Sequence, residues 1–323
     1  MSSAASRDRR RIVERLAAAR SVLLVLHVRP DGDSIGSTLA MAAALRALGK
    51  AAEVVAPDPV PPNLTFVPGA GAIVDAGATR GSFDTALFLD CASLDRIGGA
   101  TADLERAGPV LNVDHHSSNQ RYGEINYVEP HAAACGEVTY DLIRALGVAL
   151  DGEMAMGLYV AIVTDTGSFR YQSVTARTHR IAAQLLGLGV RPAEVAERIW
   201  DNRSLASLRL EAAALRTLER EGELAWMDVT PPMLAESGAA AYETEGLVNL
   251  PRSLAGVEVA VLFSDEGRGD VRVSLRSTRR VDVSTVAVSL GGGGHARAAG
   301  CTLRMRLDAA HAAVLTAVRA AMR

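Results

Sequence analysis

Residues 21–50 read SVLLVLHVRPDGDSIGSTLAMAAALRALGK, and this stretch carries the strongest strand and helix signals in the chain. The run from Ser21 to Val28 is mostly leucine and valine, which predicts a buried strand. A short polar loop over residues 29–33 follows, and the alanine-rich spacing from Ser34 to Leu48, ended by Gly49, predicts a helix. An apolar strand followed by a helix is typical of a parallel sheet that is covered by helices.

The same alternation continues through residue 187. Further strands are predicted at Val54–Ala56, Thr85–Leu89 and Val110–Val113, and further helices at Gly136–Leu146, Glu153–Val163 and Arg177–Leu188. We therefore expect an α/β fold whose N-terminal domain is a parallel sheet with helices on both faces.

A second pattern begins after residue 220. Its predicted strands are Leu224–Val229, Val257–Phe263 and Val271–Arg276, and the end of the chain returns to helix. This pattern predicts a smaller mixed α/β C-terminal domain, separated from the first by a cleft. We place the N-terminal domain at residues 1–188, a helical connector at 189–220 and the C-terminal domain at 221–323. A chain of 323 residues is long enough for two such domains.

Composition restricts the partners and the compartment. The net charge is −3 and Lys50 is the only lysine, so arginine carries nearly all positive charge. A near-neutral chain argues against tracking along duplex DNA, which depends on many phosphate contacts, but it permits a small anionic ligand. The apolar runs, such as Val22 to Leu26, are too short to span a membrane. Three cysteines without close pairing fit a reducing compartment. We therefore expect a cytoplasmic protein without a membrane partner.

Histidines and aspartates collect at the ends of the predicted core elements. In chain order they are His27, Asp31, Asp33, Asp90, Asp114, His115, His116 and Asp165. Alone, the Asp-Gly-Asp stretch at residues 31–33 would indicate a turn with a helix cap, and the adjacent histidines would indicate core or surface positions. In open α/β sheets ligands bind outside the carboxyl ends of the strands, so the whole set instead predicts a metal site.

The charge of this set fits two divalent cations. The carboxylates of Asp31, Asp33, Asp90 and Asp165 would balance the positive charge, with imidazoles as neutral ligands. Two such ions lower the pKa of a water molecule and hold the attacked phosphoryl group, so no protein nucleophile is needed. Mixed imidazole and carboxylate ligands favour Mn²⁺ over Mg²⁺, with Co²⁺ and Mg²⁺ as alternatives.

These residues form motifs that resemble those of a known family, the DHH phosphoesterases. The motifs are His27-x-x-x-Asp31-x-Asp33, Asp90, Asp114-His115-His116 and Asp165. The run Gly-Gly-Gly-Gly-His-x-x-Ala-x-Gly at 291–300, preceded by Arg276-Ser277, resembles the DHH-associated C-terminal domain. The resemblance implies that one ion is held by His27, Asp31 and Asp90, and the other by Asp33, Asp90, His115 and Asp165. It also implies catalytic roles for three residues, namely Asp90, His116 facing the substrate phosphate, and Asp114 supporting the cluster.

The glycine run of the C-terminal domain is the predicted substrate-binding element. On its own it would indicate a flexible turn. Next to an arginine, however, backbone N–H groups that carry no side chains can approach a phosphate closely. We therefore predict substrate contacts from His116, Arg276, Ser277, Gly292, Gly293, Gly294 and His295.

Within the family, the short two-domain chain is similar to the bifunctional oligoribonucleases and 3′-phosphoadenosine 5′-phosphate phosphatases. This similarity implies manganese-dependent hydrolysis of very short RNAs to 5′-mononucleotides, and of the bisphosphate nucleotide. Aromatic residues make up only 4% of the chain, which argues against a long base-stacking platform. Two alternatives stay open, a cyclic di-AMP phosphodiesterase and a nucleotide-sensing module without catalysis. The resemblance also raises the expectation of a homodimer.

Overall fold

The computed structural model describes residues 3–267 and 269–323, which divide into two compact units, one ending at Asn202 and the other beginning at Arg203. The helices of the first unit are α1 (Ser3–Ala18), α2 (Gly32–Ala47), α3 (Thr101–Leu104), α4 (Cys135–Ala145), α5 (Gly152–Asp165), α6 (Ala176–Gly187) and α7 (Pro192–Ala196). Its strands are β1 (Ser21–Val25), β2 (Ala51–Ala56), β3 (Val74–Asp75), β4 (Thr85–Leu89), β5 (Val110–Asp114) and β6 (Ile125–Val128).

The strands of the first unit form a parallel sheet in the order β3-β2-β1-β4-β5-β6. The central strand β1 is completely buried from Val22 to Val25. Val22 and Leu24 pack into a large core with α2, α4 and α5, whereas Leu23 and Val25 pack into a second core, against which Leu104 of α3 packs. Burial of β1 on both faces explains why its sequence is an unbroken apolar run. The parallel pairing of all six strands confirms the predicted parallel sheet.

The direction in which strands are added reverses between β1 and β4. From β1 the chain adds β2 and β3 on one side, and it then returns to add β4, β5 and β6 on the other. The carboxyl ends of two strands connected in opposite directions leave a crevice, which is where open α/β sheets bind ligands. His27 follows β1 and Asp90 follows β4, so both residues lie at this crevice.

Helices α2 and α5 approach each other closely. A Cβ atom added to Gly36 would lie 2.2 Å from the carbonyl oxygen of Gly157, and one added to Gly32 would lie 2.5 Å from the Thr164 side chain. Only residues without a Cβ atom permit this approach. The N-terminus of α2 is thereby fixed beside the C-terminus of α5, where Asp165 is the last residue.

The second unit has the mixed α/β architecture that the sequence predicts. Its helices are α8 (Leu205–Leu215), α9 (Pro231–Ser237), α10 (Asn249–Arg252), α11 (Val283–Ser289) and α12 (Leu307–Ala321). Its strands are β7 (Glu219–Glu221), β8 (Leu224–Val229), β9 (Val259–Asp265), β10 (Asp270–Ser277), β11 (Gly293–His295) and β12 (Ala298–Arg304). The sheet order is β11-β12-β10-β9-β8-β7, in which β8 and β9 pair in parallel and the other neighbours pair antiparallel. One face packs on α11 and α12.

Several predicted boundaries were wrong. Strand β1 ends at Val25 rather than Val28, because the chain turns away and Arg29 takes a left-handed φ of 52°, so His27 lies beyond the strand rather than at its end. Strands β3, β6, β7 and β12 were not predicted. The glycine run contributes β11 rather than only a turn.

The segment at 189–220 is more varied than a simple helical connector. It contains α7, a π-helical turn at Glu197–Asp201, α8 and the start of β7, and the boundary between the two compact units falls inside it. No described helix combines the length and the apolar character that crossing a membrane requires.

Candidate metal centre

The loop between β1 and α2 presents His27, Asp31 and Asp33. The Nδ1 atom of His27 donates to the Val28 carbonyl oxygen over 2.8 Å, so Nε2 is the nitrogen left to act as a ligand. This Nε2 atom lies 3.9 Å from Asp31 Oδ2 and 3.7 Å from Asp90 Oδ2. Asp31 is also the N-cap of α2, because its Oδ1 atom accepts from the Ser34 amide over 3.0 Å. One aspartate thus both begins the helix and faces the histidine.

Asp33 is held by the N-terminus of a different helix. Its Oδ2 atom accepts from the amide of Cys135 over 2.6 Å, and its Oδ1 atom accepts from the amide of Gly136 over 2.9 Å and from Ser37 Oγ over 2.9 Å. These amides belong to the first turn of α4, whose dipole favours a negative charge there. The carboxylate is therefore fixed in place by protein donors alone.

Asp90 lies between the two histidines that are predicted to bind metal. Its backbone φ is 60°, in the left-handed region that a non-glycine residue adopts at a cost of about 1 kcal/mol or more. Its Oδ2 atom lies 3.7 Å from His27 Nε2, and its Oδ1 atom lies 3.3 Å from His115 Nε2. One carboxylate therefore faces both halves of the cluster, which is the arrangement that a bridging ligand requires.

The Asp114-His115-His116 segment at the end of β5 brings two histidines next to one aspartate. Asp114 Oδ1 accepts from the backbone amide of His115 over 2.7 Å and from Nδ1 of His116 over 2.8 Å. His115 Nδ1 donates to the Ala132 carbonyl oxygen over 3.2 Å, which leaves Nε2 as its ligand atom. That Nε2 atom lies 3.5 Å from Oδ2 of both Asp33 and Asp165. The structure thus brings His115 together with aspartates from α2 and α5.

Among the groups of possible ligand atoms that the described residues form, two match the predicted ion sites, and within each the atoms lie within 4.8 Å of one another. The first group contains His27, Asp31 and Asp90, and the second contains Asp33, His115 and Asp165. These are the residues that the resemblance to the DHH phosphoesterases assigns to two ions, and Asp90 adjoins both groups. Their roles as ligands stay a prediction.

The electrostatics of the cluster fit divalent cations. Burial raises the pKa of Asp33 well above its usual range, and the neighbouring Asp90 carboxylate raises it further. Burial also raises the pKa of Asp165 to about 6, with the Asp90 and Asp31 charges acting in the same direction. Carboxylates crowded in this way repel one another unless positive charge lies among them. The donor set of neutral imidazole nitrogens and carboxylate oxygens therefore suits two divalent ions.

Two polar residues beside the cluster were not predicted, Arg96 and Asn119. Asn119 Nδ2 donates to Asp114 Oδ2 over 2.6 Å, and Arg96 Nη2 lies 2.9 Å from His27 Nδ1. Both residues lie in loops or short turns, where no periodic spacing marks a side chain as pointing toward a site. Only the folded backbone places them there.

The predicted substrate residues of the second unit share one region of its sheet. Arg276 and His295 both lie opposite Ala298 on the neighbouring strands, so the side chains of all three project from the same face. Ser277 Oγ donates to the Ala296 carbonyl oxygen over 3.3 Å, and the Arg276 guanidinium donates to the Leu275 carbonyl oxygen over 3.0 Å. Contact of these residues with substrate stays a prediction.

Close packing within the hairpin also explains why glycines occupy this run. A Cβ atom at Gly292 would lie 2.1 Å from the Gly300 carbonyl oxygen, and Gly294 has a φ of 138°. The hairpin of β11 and β12 therefore requires glycine at both positions, whether or not a phosphate binds there. Gly293 is paired with Gly300 inside the same hairpin.

Both units match known protein families. The model of the DHH family, N-terminal domain, matches residues 21–162, and the model of the DHHA1 domain matches residues 230–322. A protein of Thermus thermophilus named bifunctional oligoribonuclease and PAP phosphatase NrnA is 38% identical over 300 residues, which cover 92% of this chain and 89% of that protein. A Bacillus subtilis protein of the same name is 25% identical over 296 residues, covering 90% and 92%.

A solved structure has the same fold. The crystal structure of an exopolyphosphatase-related protein from Bacteroides fragilis matches with a TM-score of 0.87 at 24% identity, over 99% of this chain and 97% of that chain. The DHH match falls in the unit that carries the metal cluster, and the DHHA1 match falls in the unit that carries the glycine run. From these matches and the motifs at the cluster, the chain belongs to the DHH family and combines its N-terminal domain with a DHHA1 domain.

Proposed function

We propose that this chain is a manganese-dependent hydrolase of very short oligoribonucleotides, which it cleaves to 5′-mononucleotides, and of 3′-phosphoadenosine 5′-phosphate. The observation that carries the proposal is the pair of ligand groups that adjoin at Asp90. The names of the T. thermophilus and B. subtilis relatives supply the two substrate classes. A homodimer and a location in the cytoplasm stay predictions.

The cluster residues hold the ions in this proposal. His27 and His115 each donate from Nδ1 to a backbone carbonyl oxygen, so Nε2 is the atom that each offers as a ligand. Asp90 offers one oxygen toward each histidine. When bound, two divalent ions would supply Lewis acidity toward a water molecule and the attacked phosphoryl group. Imidazole nitrogens among the ligands favour Mn²⁺ over Mg²⁺.

His116 is the residue that we propose to contact the reacting phosphate. Its Nδ1 atom donates to Asp114, which fixes the ring and directs Nε2 away from that carboxylate. Burial disfavours the charged ring, but the Asp114 carboxylate outweighs this effect and the pKa of His116 is raised. A proton on Nε2 can therefore be donated to a phosphoryl or leaving-group oxygen.

The second unit is proposed to bind the remainder of the nucleotide. Arg276 and His295 project from one face of its sheet, where an arginine can form paired hydrogen bonds with a phosphate. The other proposed contacts come from Ser277, Gly292, Gly293 and Gly294. The division of work is that the first unit cleaves and the second unit captures.

The test is a product assay on metal-free protein that has been reconstituted with Mn²⁺. A diribonucleotide should yield mononucleotides, and 3′-phosphoadenosine 5′-phosphate should release phosphate, while cyclic di-AMP serves as the comparison substrate. Asp90→Asn should abolish both reactions, because asparagine tolerates the left-handed φ of 60° but removes the charge. Asp308→Asn is the matched control, since that side chain is 80% exposed in the second unit.

Hydrolysis of cyclic di-AMP alone would replace the proposed substrates with the cyclic dinucleotide. Binding of nucleotides without release of any product would indicate a sensing module. Full activity of Asp90→Asn would show that the cluster is not the active site.

A further inference from the structure

Arg96 is an arginine beside the metal cluster to which no role has been assigned. It lies in a 3₁₀ segment, Leu94–Ala100, that begins four residues after Asp90. Its carbonyl oxygen accepts from the Val28 amide over 2.7 Å, and its own amide donates to the Ser93 carbonyl oxygen over 3.3 Å. The backbone of Arg96 is therefore tied directly to the residue that follows His27.

The guanidinium group lies against the face of the His27 ring. Its Nη2 atom is 2.9 Å from Nδ1 and 3.3 Å from Nε2 of that ring. A position in the ring plane at these two distances would overlap the Cε1 atom, so Nη2 must lie above the plane. Nδ1 already donates within the plane to the Val28 carbonyl oxygen. Contact of a guanidinium group with the face of a ring is a favourable arrangement for arginine.

This position places a permanent positive charge beside a predicted metal ligand. A guanidinium group keeps its positive charge in proteins. A cation bound at His27 Nε2 would therefore lie close to a second cation, and the two would repel each other unless an anion lay between them. A guanidinium placed only to orient His27 would weaken metal binding. A phosphate that contacts both cations removes this repulsion.

We propose that Arg96 binds a non-bridging oxygen of the substrate phosphoryl group, so that it contributes to substrate affinity and not to metal affinity. The inference rests on the proposed function, because it requires a phosphate to enter the cluster beside His27. Arg96 is then a substrate-binding arginine of the first unit. It would act on the phosphate that reacts, whereas Arg276 belongs to the second unit.

The test measures binding rather than turnover, so it does not depend on which nucleotide is hydrolysed. Arg96→Gln removes the charge and keeps a similar length, and Arg96→Lys keeps the charge but loses the planar fork. Arg191→Gln is the control, since that side chain is 75% exposed and pairs with Glu194 on the surface. Titration calorimetry of metal-free protein gives the affinity for Mn²⁺, and titration of the Mn²⁺-loaded protein with AMP gives the affinity for a phosphate monoester.

We expect Arg96→Gln to bind Mn²⁺ as tightly as the wild type or more tightly, and to bind AMP roughly tenfold to a hundredfold more weakly. Arg96→Lys should show a smaller loss for AMP, and Arg191→Gln should match the wild type in both titrations. The proposal is overturned if Arg96→Gln loses Mn²⁺ affinity while AMP affinity is unchanged, since Arg96 would then only position His27. It is also overturned if neither affinity changes, or if wild-type protein loaded with Mn²⁺ does not bind AMP. If Arg96→Gln does not fold, the Arg96→Lys variant decides, because unchanged AMP affinity there contradicts a role for the fork.

Failure of the proposed function has a different signature. In that case the Mn²⁺-loaded wild type binds AMP and Arg96→Gln weakens this binding, yet no oligoribonucleotide or bisphosphate is hydrolysed.

Discussion

The affinity for Mn²⁺ should fall steeply when the pH is lowered from 8 to 5. A carboxylate must lose its proton before it binds a cation, so protons and metal compete for the same oxygen atoms. Burial raises the pKa of Asp165 from 3.8 to about 6, and the nearby Asp90 and Asp31 charges add to this rise. Protonation of Asp165 should therefore lower the Mn²⁺ affinity as the pH falls through about 6, which is well above the range in which an exposed aspartate is protonated.

The size of the effect follows from that pKa. At pH 5 a group with a pKa of about 6 is protonated in a ratio of about ten to one, which lowers the apparent Mn²⁺ affinity about tenfold, or ~1.4 kcal/mol. A carboxyl group with a pKa of 3.8 would change the affinity by less than about 10% over the same range. The Asp165 side chain is 31% exposed, so screening by water makes the tenfold figure an upper value for this group.

Other ligands act in the same direction. The pKa of Asp33 is raised by burial and by Asp90, so it also holds its proton at higher pH than usual. Burial opposes protonation of His115, but its hydrogen bond with Asp90 and the charge of Asp165 outweigh burial, and its pKa is raised. Since His115 must be neutral to bind metal, the total loss of affinity from pH 8 to pH 5 should exceed tenfold.

Titration calorimetry of metal-free protein can measure both the affinity and the protons released. Measurements at pH 5, 6, 7 and 8, each in two buffers with different ionisation enthalpies, separate proton release from metal binding. Asp165→Asn is the informative variant, because it should bind Mn²⁺ more weakly at every pH and show a flatter dependence of that affinity on pH. An affinity for Mn²⁺ that is independent of pH in the wild type, or an equal slope in Asp165→Asn, would refute the reasoning.

Three further predictions concern positioning, packing and substrate capture. Asn119→Ala removes the 2.6 Å hydrogen bond that positions Asp114, so kcat should fall roughly tenfold to a hundredfold with little change in KM or Mn²⁺ content. A rise in KM alone would contradict this positioning role of Asn119. Gly36→Ala should lower the free energy of unfolding by about 2–3 kcal/mol in urea, because the added Cβ would lie 2.2 Å from a carbonyl oxygen. Gly187→Ala is the control and should leave the stability unchanged, because its Cβ would meet nothing within 4 Å. Equal stabilities of the two variants would refute the close packing. Arg276→Ala should raise KM for 3′-phosphoadenosine 5′-phosphate about tenfold or more and leave kcat nearly unchanged. A fall in kcat at constant KM would show that the two units do not divide the work as proposed.

The fold was predictable because its central elements carry strong local signals. The apolar run of β1 indicated a strand buried on both faces, and the alanine-rich spacing after it indicated α2. The short strands β3 and β6 were missed because two and four residues are too few to show a periodic pattern. Such strands are stabilised by their neighbours in the sheet, and that information is not local.

Which residues form the cluster was predictable, but the orientation of their side chains was not. Parallel strands carry their carboxyl ends to one edge, so polar residues at strand ends could be expected to meet there. Which nitrogen of His27 or His115 faces the cluster depends on a backbone carbonyl oxygen that only the fold supplies. The same holds for Arg96 and Asn119, whose positions depend on loop conformation.

The cluster is held together by the protein and strained by its own charge. Amides at the N-terminus of α4 fix Asp33, and a helix-capping bond fixes Asp31, so the geometry does not depend on a cation. Because the folded-state pKa of Asp165 is raised, its contribution to stability is present at low pH and is lost as the pH rises from 3.8 through about 6. Over the same range the affinity for a cation increases. Metal-free protein should therefore keep its fold but be least stable where it binds metal most tightly, so added Mn²⁺ should raise the Tm more at pH 8 than at pH 5.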